Sequence, residues 1–375
     1  MLGSPRRVIF GTAPALAAML LASAVAGCGD TGDIAPSISS SDQSTASPVA
    51  SPTANPSPTP LAQPLHVPLP TPVILFHDPV NQDQVDGITW DGTASGRVAA
   101  SGAKLGFTPN PAGTLYATFA DRAIYDRSGH LVGSYGGNMK GFGTWADDQR
   151  HYCQMVGRSA TPPASGEPAS LQLGAPGETT RTIAQVGTVG LDATIGIAAC
   201  SVLSDRTVLI QSGGQGVGTR QVWVVQLSTG RILWTRSYIS DSSVVTIGAS
   251  RDGQYITEAH SGAGQAPGTT VYSPTGSALG HIAGFVAGFS WDGTLAVVTS
   301  LEGSVSVIRW RDGSHVWGAP QGQTLDGAMA DPGGQRVAVS LHNPDYQQTT
   351  GFPPTDLYVV GSDGQATPLL QKVVL

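Results

Sequence analysis

Six times between residues 107 and 340 the sequence runs from an apolar or aromatic residue through small residues into an Asp or Gly turn, then into a run of alternating apolar residues. The six copies are FTPNPAGTLYATF from Phe107, FGTWADDQRHYCQM from Phe142, IAACSVLSDRTVLI from Ile197, IGASRDGQYITEA from Ile247, FSWDGTLAVVTS from Phe289 and AMADPGGQRVAVS from Ala328. Gly113, Asp148, Asp205, Gly253, Gly293 and Gly333 mark the turns at spacings of 35, 57, 48, 40 and 40 residues, about 44 on average. A fixed period of this size is the signature of a repeat architecture, and it restricts the fold more than any other feature of the chain.

Further strand-like runs with turn signals follow the motifs, as in RQVWVVQLSTGRILWTRSY (220–238) and VSVIRWRDGSHVWG (305–318). Four short antiparallel strands per period of about 40 to 50 residues predict an all-β fold, a β-propeller with four strands per blade. Residues 73–375 hold about seven such periods, so seven blades are expected, with six as the alternative. The first blade is assigned to residues 73–106, where VILFH, DGITW and GRVAAS supply three strand candidates. The string ITWDG at 88–92 reads as a twin of FSWDG at 289–293, although Gly92 lies only 21 residues before Gly113. A blade shared between the two ends of the chain would close the ring and remove exposed strand edges.

The first 28 residues carry Arg6 and Arg7, then an apolar run, then small residues and Cys28, which is the pattern of a secretory signal. Val25-Ala26-Gly27-Cys28 resembles a bacterial lipobox, which implies lipidation of Cys28 and a membrane anchor outside the cytoplasm, at the cell surface or in the periplasm. An uncleaved membrane-spanning helix over residues 8–27 is the competing reading. Residues 29–72 are Ser, Thr, Pro and Ala with few large apolar side chains, a composition expected to stay disordered and act as a tether. The propeller domain is then 73–375.

Only 12% of the chain is charged, and the domain carries 17 basic against 23 acidic residues. Nucleic acid is an unfavourable partner for such a surface. Cys153 and Cys200 fall in the second strand of one blade and the first strand of the next, in a chain directed to an oxidising compartment, so a disulfide between them is expected. The acidic string HDPVNQDQVDG (77–87) does not match a calcium loop, and the eight histidines show no metal-ligand spacing. No metal, cofactor or Gly-x-Ser-x-Gly nucleophile is expected. His260, two residues after Glu258, is the best candidate for acid–base work, though a surface histidine without a catalytic role is the simpler reading.

Trp291-Asp292 precedes the second strand of its repeat, whereas the Trp-Asp pair of WD-repeat proteins ends the third strand. The motifs are instead similar to the Ser-Pro-Asp-Gly repeats of bacterial TolB-like and YVTN-type propellers. VWVVQLSTGRILW and VIRWRDGSHVW also resemble quinoprotein repeats. These resemblances imply a fold and no particular activity.

Four connections from second to third strand read as long: SATPPASGEP (159–168), SGGQGVGTR (212–220), SGAGQAPGTT (261–270) and HNPDYQQTTGFPPT (342–355). Equivalent loops of antiparallel blades project from one face, and long loops on a rigid scaffold are where binding usually resides. Gln215, Arg220, His260, His342, Asn343, Asp345, Tyr346 and Phe352 are the candidate partner-binding residues of that face. The expectation is a monomeric, lipid-anchored propeller that binds a protein, glycan or peptidoglycan partner without catalysis. The alternative is an envelope enzyme of the lactonase, glycosidase or quinoprotein kind, with its site at the central channel.

Overall fold

In the computed structural model, residues 72–77, 85–98, 107–119, 121–136, 142–157, 167–189, 193–213, 219–238, 245–260, 267–346 and 355–373 are described. Every regular element among them is a β-strand, and the strands form seven separate antiparallel sheets. The sheets span residues 73–98, 107–134, 144–189, 193–237, 245–282, 285–318 and 324–373, and they are numbered here as blades 1 to 7. Blades 2 to 7 each hold four strands in sequence order, and blade 1 holds three among the described residues.

The alternation visible in the sequence becomes one apolar layer between each pair of neighbouring blades. Val73, Leu75 and Val85 of blade 1 pack against Tyr116 of blade 2, and Leu295 and Val297 of blade 6 against Val337 and Val339 of blade 7. Seven such clusters fill the seven junctions, including the one between blades 7 and 1. That last layer, with Ile74, Phe76, Ile88 and Trp90 against Ala338, Leu357 and Val359, closes the ring. Closure is by side-chain packing. Among the described residues each blade is built from one continuous stretch of chain, so the expected blade shared by both ends is not formed.

Blade 1 corrects a second expectation. A side chain at Gly92 would meet Leu369 in the fourth strand of blade 7, just as one at Gly276 would meet Trp234 in the fourth strand of blade 4. Glycines in turns between first and second strands instead face the start of the preceding blade's second strand, as Gly293 faces Tyr255 and Gly113 faces Val73. The strands Val73–His77, Val85–Thr89 and Ser95–Val98 therefore hold the second, third and fourth positions of their blade. Gly92 turns the chain from third to fourth strand, which explains its short spacing to Gly113. The likeness of ITWDG to FSWDG is local: in both turns a hydroxyl, Thr89 or Ser290, donates to the aspartate two residues later.

Candidate functional site

The two faces of the disc are built differently. Turns between first and second strands and between third and fourth strands are four to six residues long in every blade, as at 250–255 and 273–277. On the opposite face the connections between second and third strands range from four residues at 119–122 to ten at 157–166 and twelve at 343–354. The expected asymmetry is thus present. One of the four expected long loops is not: strands Arg206–Gly213 and Thr219–Gln226 run on as a hairpin, leaving 214–218 as the connection. Its Thr, Val and Gln side chains suit a ladder, and a register shift at Gln211/Ser212 leaves Arg220 as the extra residue of the facing strand.

Gln215 and Phe352 lie outside the described residues, and so do Cys28 and the tether up to residue 71. Arg220 belongs to the strand Thr219–Gln226. His260 and His342 end the second strands of blades 5 and 7. The foot of the 343–354 loop is pinned to buried Asp356, which accepts hydrogen bonds from Tyr346 Oη at 2.5 Å, Asn343 Nδ2 at 3.3 Å and Gln323 Nε2 at 2.9 Å. The bond to Asp356 raises the Tyr346 phenol to about 12, because losing its proton would place two negative charges side by side. Asp345 receives no such burial; its backbone N–H donates to Asn343 Oδ1 at 3.0 Å and shapes the turn.

His260 has an orienting partner in Glu258, its neighbour two residues back, and that carboxylate is itself held from the preceding blade. Glu258 Oε1 is 2.6 Å from His260 Nε2, and its Oε2 accepts from Tyr238 Oη at 2.7 Å and pairs with Arg236 Nη1 at 3.2 Å. Arg236 in turn stacks over the rings of Tyr238 and Tyr272, 5.4 and 5.0 Å from their centroids. Burial and the Glu258 carboxylate push the Tyr238 phenol well above its usual range. The cluster bridges blades 4 and 5 beneath the loop face, away from the ring axis. Strand alternation places Glu258 and His260 on one side of their strand, but Arg236 and Tyr238 come from the preceding blade, which no spacing shows.

Cys153 and Cys200 are joined as expected, with Cα atoms 5.9 Å apart, across the apolar layer between blades 3 and 4. No group of three or more His, Cys, Asp or Glu side chains suited to a metal occurs among the described residues.

On the short-turn face, the first-strand turns are linked around the axis. Val73 N–H donates to the Ala112 carbonyl at 3.0 Å, and Asn110 Nδ2 to the Gln149 carbonyl at 2.7 Å. Buried Asp147 accepts from Ser201 Oγ at 2.5 Å and from the N–H groups of Val202 and Leu203 at 2.9 and 3.2 Å. These links fix the mouth of a central cavity of about 220 Å³, whose wall includes Leu75, Ala198, Ala287, Phe289, Met329 and Arg251. Bulges in the first strands of blades 4 and 6, at Ile197/Ala199 and Val286/Gly288, set Ala198 and Ala287 into that wall. Val73, Ile74 and Leu75 reach it because they hold a second-strand position with no described strand inside them. Sequence reasoning missed Arg251, whose neighbours in the cavity, apart from Ala249, come from other blades.

Six four-stranded sheets and one with three described strands surround an axial cavity. The chain is a seven-bladed β-propeller. No protein-family model matches the sequence, and no curated protein matches it. Solved structures similar to it include a eukaryotic initiation factor, at 10% identity and TM-score 0.47 over 84% of this chain and 92% of that one. They also include an oligogalacturonate lyase in complex with manganese, at 12% identity and TM-score 0.47 over 80% and 97% of the two chains. TolB from Acinetobacter baumannii shares 13% identity at TM-score 0.39 over 65% of this chain and 61% of its own. At such identities the likeness concerns the fold alone.

Proposed function

We propose that this propeller is a membrane-anchored, extracytoplasmic recognition module that binds a protein or glycan of the envelope through its long-loop face and performs no catalysis there. The observation that carries this reading is the asymmetry of the disc. Thirteen short turns and their cross-blade hydrogen bonds hold one face, while the connections at 157–166, 261–267 and 343–354 elaborate the other. A rigid scaffold presenting unequal loops on one side suits selective contact with a large partner. His260 lies at the base of the 261–267 connection and His342 at the base of 343–354, which also contains Tyr346. The anchor is proposed from the lipobox resemblance at Cys28.

The test is affinity capture from envelope extracts of the producing cells, comparing the native chain with a variant whose 158–166, 261–266 and 347–354 segments are replaced by short turns. The expected result is a partner retained by the native chain and lost from the shortened one, with melting temperatures within a few degrees of each other. Equal retention by both, or by neither, would overturn the loop-face assignment. For the anchor, a Cys28→Ala chain is expected in the soluble fraction; its retention in membranes would remove the lipid from the account.

A further inference from the structure

Arg251 is the one charged residue among the described residues lining the axial cavity. It sits in the first turn of blade 5, after the strand Val245–Ala249. The wall around it includes Ala249, Ala330, Met329, Phe289 and Trp291, contributed by three blades, together with the polar side chain of Asn110. The Arg251 Nε is shielded from solvent and has no hydrogen-bond partner. A guanidinium keeps its charge in proteins, and a donor shielded from water costs free energy unless an acceptor pairs with it.

Asp147 is the carboxylate that acts on Arg251 electrostatically, but its oxygens already receive the Ser201 hydroxyl and two backbone N–H groups. Burial consequently lowers the Arg251 guanidinium to about 10, with Asp147 offsetting only part of that. The arrangement is a chamber with apolar and aromatic side chains on part of its wall and a guanidinium whose shielded Nε is unpartnered.

We propose that this chamber binds a small monocarboxylic acid, its carboxylate on the Arg251 guanidinium and its apolar or aromatic body against Ala249, Phe289 and Met329. A carboxylate presents two coplanar oxygens that match the guanidinium fork, so one residue satisfies the whole charged end. Phosphate or sulfate would bring further oxygens that alanine, phenylalanine and methionine cannot serve. At about 220 Å³ the chamber falls below the roughly 300–1,000 Å³ of sites for drug-sized ligands, which fits a small acid and excludes an oligomer. The site lies on the face opposite the long loops and does not depend on their function.

Calorimetric titration of the full chain with phenylacetate, phenylacetamide and inorganic phosphate tests the assignment. Phenylacetate is expected to bind with one site per chain, at least tenfold more tightly than its neutral amide, and phosphate to give no saturable heat. Arg251→Met should erase the preference for acid over amide, and Arg251→Lys, which keeps the charge without the planar fork, should retain part of it. Absence of phenylacetate binding, equal affinity for acid and amide, phosphate binding as tight as phenylacetate, or an undiminished preference in Arg251→Met would each overturn the proposal. Should Arg251→Met fail to fold, the acid–amide comparison on the native chain decides by itself.

Discussion

Arg336 Nη1 lies 3.2 Å from the carbonyl oxygen of Trp90, joining the last blade to the first where the ring closes. The same guanidinium holds fully buried Asp331, with Nε and Nη2 both 2.7 Å from Oδ2. No described strand crosses this junction, so its strength rests on the apolar layer and on these bonds. Arg336→Met leaves Asp331 buried with only backbone donors and is expected to cost about 1–3 kcal/mol, the arginine being partly exposed. Urea denaturation measures it, and an unchanged midpoint would show that packing alone closes the ring.

The disulfide between blades 3 and 4 spans 47 residues of sequence. In the chain-entropy model such a loop contributes about 4 kcal/mol by restricting the unfolded chain. Cys153→Ala combined with Cys200→Ala should therefore lower the unfolding free energy by about that amount. Both cysteines are almost fully buried, so reductant should cleave the bond only as fast as the surrounding layer opens. Mass spectrometry of an unreduced digest should recover the two peptides joined; two free thiols would sink the pairing.

Glu258 is the hub of the bridge between blades 4 and 5. Glu258→Gln removes the charge that Arg236 and His260 face in a buried setting, and a loss of about 2–4 kcal/mol is expected, discounted because Arg236 is partly exposed. Thermal scans of Glu258→Gln beside His260→Gln separate the two contacts. If His260→Gln leaves stability intact but removes partner capture, the histidine works at the surface and not in the bridge.

Two aspartates should respond to pH with opposite signs. Burial raises the Asp326 carboxyl above its ordinary value of 3.8, opposed by the Ser340 hydroxyl and by His342. Its folded form therefore prefers the proton, and stability is lost as pH rises from about 4 through the folded-state value. Asp326→Asn should melt higher than the native chain at pH 7 and converge with it near pH 3. Burial also pushes Asp292 upward, but hydrogen bonds from Ser290 and Thr294 outweigh it and hold the carboxyl low. Its contribution is present above pH 4 and disappears as pH falls, so Asp292→Ala should melt lower at pH 7 and converge in acid. Parallel pH profiles for the two variants would refute the signs.

The blade number and six of the seven blades were legible because their signals are local. An Asp-Gly turn and the alternation beside it describe a hairpin wherever it sits, and Cys153 and Cys200 fall in adjacent hairpins. Gly92 shows the limit of that reasoning. Its turn has the same hydroxyl-to-aspartate bond as the turn at Gly293, yet it occupies a different place in its blade, because place is set by what packs behind it. The Glu258 bridge and the Arg251 chamber were invisible for the same reason. Each is assembled from blades whose segments are separated in sequence, and no spacing along the chain encodes which residues meet at an axis.

The described chain enters the propeller at Val73, whose N–H is bound to the Ala112 carbonyl in the rim of short turns. That point lies 45 residues after Cys28. Under the proposed anchor the tether joins the disc on its plain side, and the elaborated loops occupy the face opposite the point of attachment. The chamber mouth shares that side with the attachment point, so the tether and the loops leave the disc in opposite directions.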